Sequence, residues 1–172
     1  ACAECGELVD ALAMEAEAED AMPGPGDELG GYRLDRELGR GAYGTVFEAT
    51  DLELGRKVAL KTLRQQSPRQ RVRAQREARA LARLRHPGVV TVFDVGEARG
   101  RPYVVMELVE GESLEARVDA MTEPHEIVRL FVAAGRGLAA AHHAGVLHRD
   151  FKPSNVMLTG SGQPKVVDFG QA

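Results

Sequence analysis

At 172 residues, with 44% hydrophobic and 28% charged side chains, the chain can bury one moderate core or two small lobes of an ordinary globular protein. Its formal charge of −4 hides an asymmetry: residues 1–31 carry nine acids and no Lys or Arg, while the other 141 carry 22 bases against 17 acids. So slight a basic excess does not argue for nucleic acid, no signal peptide is visible in the acidic residues 1–22, and the most apolar stretch, 127–147, is broken by Arg129, Arg136, His142 and His143 and is no membrane span.

Residues 7–22 are rich in Ala and Glu and are compatible with an acidic helix that Pro23-Gly24-Pro25-Gly26 would end. With few large apolar groups to bury, residues 1–31 are expected to be a flexible leader and linker. Cys2 and Cys5 are the only cysteines, and no second pair or nearby histidine closes a four-ligand site. Two reduced surface thiols is the plainer reading, with a truncated metal-binding interaction module as its rival. A start at Ala instead of Met agrees with an excerpt from something longer, and the cytoplasm is the default compartment, an anchor outside the fragment being left open.

From Tyr32 the texture turns β-like. Residues 32–38 and 44–50 alternate as strands around a glycine-rich turn, and 57–63 reads as a third strand. A helix is expected over about 68–84, with Ala74, Glu77, Ala78, Leu81 and Leu84 on one face and His86-Pro87-Gly88 as its stop. Residues 89–95 and 102–107 read as a hairpin, giving about five strands with one inserted helix. A longer helix follows, with Thr122 as N-cap, Pro124 in the first turn, an end near His143 and Gly145 as terminator. Short β pieces at 155–159 and 164–167 flank a Gly-Ser-Gly turn, and no internal repeat is present.

Four segments carry chemistry. Leu38-Gly39-Arg40-Gly41-Ala42-Tyr43-Gly44-Thr45-Val46 fits G-x-G-x-x-G-x-V, whose glycines let backbone amides approach phosphate oxygens. It opens into a strand, whereas a dinucleotide fingerprint opens into a helix. Downstream, Val58-Ala59-Leu60-Lys61 puts Ala59 and Lys61 on one strand face, room for a flat base beside an ammonium that can reach a phosphate. Glu77 lies on the apolar face of a helix otherwise crowded with arginines. A desolvated acid there needs a cation, for which Lys61 is the natural candidate and a neighbouring Arg the alternative. The third segment, His148-Arg149-Asp150-Phe151-Lys152-Pro153-Ser154-Asn155, packs an acid, two bases and an amide into eight positions, and Asp168-Phe169-Gly170 follows an apolar run.

Taken in this order, the segments resemble the protein-kinase family, and the resemblance runs from Tyr32 to Gly170. It implies an α+β, two-lobed fold: a complete β-rich small lobe over 32–106 with one inserted helix, and a partial, mainly helical large lobe over 107–172. Its implied activity is transfer of the γ-phosphoryl group of ATP, with Mg2+, to a protein Ser or Thr hydroxyl; Lys152 resembles the Ser/Thr branch, and the Ala, Arg and Gly usage looks bacterial. Backbone amides of Gly39, Arg40, Gly41, Ala42, Tyr43 and Gly44 would cover the phosphates, and Lys61, held by Glu77, would contact two of them. Asn155 and Asp168 would bind magnesium, Asp150 would orient the substrate hydroxyl, and Lys152 would offset charge on the transferring group. Leu38, Val46 and Ala59 above and Met157 below would enclose the adenine, with Met106 at the back and backbone groups of Glu107 and Val109 on its edge. Leu81, Val92, His148 and Phe169 match the apolar column linking the lobes, and Arg149 resembles an arginine that pairs with a phosphorylated activation loop.

The segments that hold a peptide and support the large lobe in this family do not follow, so the chain alone is expected to be poorly stable and to phosphorylate little. The resemblance allows a dimer for trans-phosphorylation and calls for no nucleic-acid partner. A nucleotide-binding pseudokinase or regulatory scaffold is the alternative reading; such proteins commonly lose one of the catalytic Lys and Asp residues, and none is lost here.

Overall fold

The computed structural model describes residues 22–41, 44–64 and 68–169, without the side chains of 68–71 and 73. The leader to residue 21 with Cys2 and Cys5, Ala42 and Tyr43 of the glycine-rich turn, and Gly170 lie outside the described residues. In chain order the elements are β1 (Glu28–Leu29), β2 (Tyr32–Gly41), β3 (Gly44–Asp51), β4 (Lys57–Leu63), α1 (Pro68–Arg83), β5 (Val92–Ala98), β6 (Arg101–Met106), β7 (Gly111–Ser113), α2 (Leu114–Asp119), α3 (Pro124–His143), a 3-10 turn (Pro153–Asn155), β8 (Val156–Thr159) and β9 (Pro164–Val166). One antiparallel sheet runs β1-β2-β3-β4-β6-β5, and a second runs β7-β8-β9.

The period-2 pattern of β4 builds the small lobe. Val58 and Leu60 join Leu34, Phe47 and Val105 in a core on one sheet face, while Ala59 joins Leu81, Val92 and Met106 on the other. Lys61 follows Ala59 to that second face and is 5% exposed. The second core also takes Ala141 from α3 and Val146 behind it, so it spans both lobes. Gly145 (φ +77°) ends α3 as expected: its N–H donates to His142 O at 2.9 Å and that of Val146 to Ala141 O at 3.0 Å, the paired closure of a left-handed helix end. A third core packs Leu114, Ala134, Val156, Leu158 and Val166 inside the large lobe.

Four expectations need correction. Leu29, assigned to the leader, is 1% exposed in the first core, and β1 pairs with β2, so the folded body starts before the charge boundary. The cap of α3 is Glu123, not Thr122; it makes no side-chain cap bond, and Pro124 removes an N–H that would have lacked a partner. The hairpin strands begin at Val92 and Arg101; the stretch before Val92 instead meets β9, with Val166 N–H donating to Gly88 O at 2.9 Å and Val90 N–H to Val166 O at 3.0 Å. Residues 111–119, which carried no expectation, form β7 and α2, the latter capped by Ser113 Oγ accepting from Ala116 N–H at 3.2 Å.

Candidate active site

Two adjoining clefts lie between the sheet and the large lobe. A cleft of about 560 Å³ is lined by Leu38, Gly39, Val46, Ala59, Met106, Glu107, Val109 and Met157, all named from the sequence. A second, of about 390 Å³, is lined by Gly39, Arg40, Gly41, Gly44, Lys61, Asp150, Lys152, Asn155 and Asp168. Gly39, Val46 and Asp168 border both, so a mainly apolar compartment runs on into a charged one. Sequence reasoning missed Ser154, Val90 and Val167 on the walls of the first. The last two follow apolar runs that read equally well as core.

The charged compartment is assembled from distant segments. Lys61 Nζ donates to Asp168 Oδ1 at 2.8 Å across 107 residues. Asn155, 6% exposed, is set by the 3-10 turn that Pro153 opens; its Nδ2 donates to the Asp150 carbonyl at 2.8 Å and to Asp150 Oδ2 at 3.3 Å. Lys152 Nζ pairs with the same Oδ2 at 2.9 Å. That bond, chiefly, lowers the Asp150 pKa and raises that of Lys152, so both stay charged at neutral pH. Arg149 and Asp168 adopt positive φ, 67° and 65°, a left-handed backbone that costs about 1 kcal/mol or more per non-glycine residue. Such strain is found where side-chain aim is over-determined by its surroundings.

The partner expected for Lys61 is not the one observed. Arg149 takes the Glu77 carboxylate in a fork, Nη2 to Oε1 at 2.7 Å and Nη1 to Oε2 at 3.2 Å. Glu77 does lie on the inward face of α1, and it borders a small enclosed cavity with Lys61, Leu81, Met106 and Phe169. Two things redirect the pairing: a planar guanidinium offers the carboxylate a bidentate match, and Asp168 already occupies the ammonium. Partner choice at this range depends on tertiary placement, which strand and helix periodicity do not encode.

His148 is 1% exposed and donates from Nε2 to Val167 O at 2.8 Å, with its ring 4.7 Å from that of Phe169. Leu81, Val92 and Phe169 belong to one cluster, so the four residues of the expected column are gathered. Among the described residues His148 Nδ1 is buried without a hydrogen-bond partner, and burial pushes the His148 pKa below 6.5, keeping the imidazole neutral. The side chain of Glu107 was not expected to act: Lys165 Nζ donates to its Oε1 at 2.5 Å and Oε2 at 2.7 Å, and Thr91 N–H reaches Oε2 at 3.4 Å. This clip ties the segment joining the lobes to β9, which leads into Asp168.

A family model described as the protein kinase domain matches residues 32–172. The chain belongs to the protein kinase family. It is similar to the probable serine/threonine-protein kinase PknB of Corynebacterium glutamicum, 43% identical over 82% of this kinase chain and 23% of that protein. It is also similar to the serine/threonine-protein kinase PknA of Mycobacterium tuberculosis, 44% identical over 83% of this chain and 36% of that protein. The crystal structure of the Mycobacterium tuberculosis PknI kinase domain matches it with a TM-score of 0.74 and 34% identity, over 87% of this chain and 64% of that one. The kinase chain thus spans a quarter to a third of these curated relatives. Among its described residues, no helix is long and apolar enough to cross a membrane.

Magnesium is implied by the family and suits this donor set. The ion takes hard oxygen ligands, keeps several waters and commonly uses only one or two protein carboxylates alongside phosphate oxygens. Asp168 supplies a carboxylate, and Asn155, with Nδ2 committed to Asp150, keeps its amide oxygen as a donor. Among the described residues no group of three or more His, Cys, Asp or Glu side chains could hold a metal ion.

Proposed function

We propose that this chain is the nucleotide-binding and catalytic-loop portion of a protein Ser/Thr kinase that uses Mg·ATP. The observation that carries the reading is the convergence of Lys61, Asp150, Asn155 and Asp168 on one cleft continuous with an apolar compartment. ATP, bound with magnesium, would supply the transferable phosphoryl group. Glycine-loop amides and Lys61 hold the phosphates, while Asn155 and Asp168 offer oxygens to the ion. Asp150, ionised beside Lys152, receives the hydrogen bond of a Ser or Thr hydroxyl and aims its oxygen; Lys152 is a fixed positive charge where negative charge builds up. Glu107 and Val109 border the apolar compartment at the adenine edge, and Ala59 leaves space for the ring. The substrate is a protein, and the PknA and PknB relatives, both named serine/threonine-protein kinases, support a Ser/Thr preference.

Calorimetry tests the reading: Mg·ATP should bind the chain, and Lys61→Ala or Asp168→Asn should weaken it about tenfold or more. No binding, or binding indifferent to both changes, would sink it. A nucleotide-binding scaffold is the second reading, favoured by one observation: Lys61 is engaged by Asp168 and Glu77 by Arg149. Single-turnover transfer of labelled phosphate to a Ser/Thr protein by a parent-length protein separates the two. The 172-residue chain by itself should turn over slowly, because Val128 and Val132 on α3 are 59% and 50% exposed and leave an apolar face of that helix open to solvent.

A further inference from the structure

Between residues 64 and 85 the sequence holds eight arginines and one acid, Glu77. Arg76, Arg79 and Arg83 are exposed and follow one another at three- and four-residue spacing, so they form a stripe along the outer side of α1. Among the described residues no carboxylate pairs with any of the three, and the first turn of the helix has no acid to meet its dipole. Glu77, the single acid of the helix, is drawn inward to Arg149. Like charges at this spacing repel and weaken a helix. The stripe therefore lacks a counter-charge that would stabilise both α1 and the position of Glu77.

The same chain carries one. Residues 1–21 hold seven acids, four of them between 15 and 20, and no Lys or Arg. The arm also starts at the appropriate edge. Arg101 Nη1 donates to Met22 Sδ at 3.0 Å where β6 begins beside the end of β5, and β5 is the edge strand against which α1 packs. Twenty-one residues reach up to about 70 Å when extended, against about 24 Å for a 16-residue helix. Tethering of this kind gives an effective concentration on the order of millimolar, enough for weak surface ion pairs to act together.

We propose that the acidic arm, residues 1–21, docks in cis on the arginine stripe of α1, steadying from outside the helix that presents Glu77 to the site. This contact needs no nucleotide. It is tested on the full 172-residue chain, whose only thiols, Cys2 and Cys5, accept a nitroxide label without mutation. At low salt the amides of Arg76, Arg79 and Arg83 should lose roughly half their signal or more relative to the reduced label, while Val128 and Val132 on α3 keep theirs; about 0.5 M NaCl should restore it, because the Debye length falls to a few ångströms. The triple change Arg76→Glu, Arg79→Glu, Arg83→Glu should abolish the effect, with unchanged β2–β4 shifts as the fold check. If that variant does not fold, the salt titration of the natural sequence decides alone. Undisturbed α1 amides at low salt, equal broadening of α1 and α3, or salt-insensitive broadening would each overturn the proposal. So would an arm that stays off the helix while the same arginines bind vesicles of anionic phospholipid.

Discussion

Arg149 grips the carboxylate of Glu77 through both of its terminal nitrogens, at 2.7 and 3.2 Å, across 72 residues of sequence. Both side chains are mostly buried, at 24% and 19% exposure, so the fork outweighs an ordinary surface pair. While it holds, Lys61 depends on Asp168 for its counter-charge.

Arg149→Ala should therefore remove the bidentate hold on Glu77, which already borders a cavity with Lys61. Mg·ATP affinity is expected to rise about threefold to tenfold, the worth of one partly buried pair. Calorimetry on the variant checks this, and Arg149→Ala combined with Glu77→Gln should cancel the gain.

Lys165 acts at a distance from the cleft through Glu107. Lys165→Ala should leave that carboxylate with only the long contact from Thr91 N–H, loosen the segment at 107–109 and weaken nucleotide binding about fivefold. Lys165→Arg keeps the charge and should recover most of the loss in the same titration.

His148 provides a pH signature. Its folded pKa lies below 6.5 because burial disfavours the imidazolium, so the unfolded chain binds a proton more readily. The stability tied to the neutral ring is complete above 6.5 and is lost as pH falls from there through the lower folded value. Melting temperature should drop on acidification below that point, and it should drop less steeply in His148→Phe, whose lost hydrogen bond to Val167 costs the same at every pH.

Two glycines of α3 should respond in opposite directions. A methyl at Gly137 would sit 2.2 Å from Gly88 O, so Gly137→Ala pushes on backbone and should destabilise by about 2 kcal/mol despite better helix propensity. Gly135 is exposed with nothing within 4 Å of such a methyl, and Gly135→Ala should stabilise by about 1 kcal/mol. Denaturant midpoints of the two variants give the comparison.

What was readable in advance follows a physical division. The strand at 57–63, the helix stop at Gly145 and the eight residues named around the apolar compartment were legible because alternation, a left-handed terminator and motif order are local or ordered signals. Partner choice was not. Whether Glu77 meets Lys61 or Arg149 depends on a few ångströms of helix placement and on Asp168 competing for the ammonium. Leu29 was hidden by acidic neighbours that mask one buried side chain. Ser113 was hidden because a three-residue strand and a short helix are too brief for either period to show. Ala42 and Tyr43 keep the roles proposed from resemblance alone.

The backbone exchange of residues 88–90 with Val166 leaves the two halves of the molecule sharing an axle two residues ahead of Asp168. Opening of the cleft that keeps these bonds would pivot near that line. The carboxylate close to the axle would then travel less than β2 and β3 on the far part of the sheet. Entry and exit of a ligand would then be governed by the rim rather than by the residue at the fulcrum.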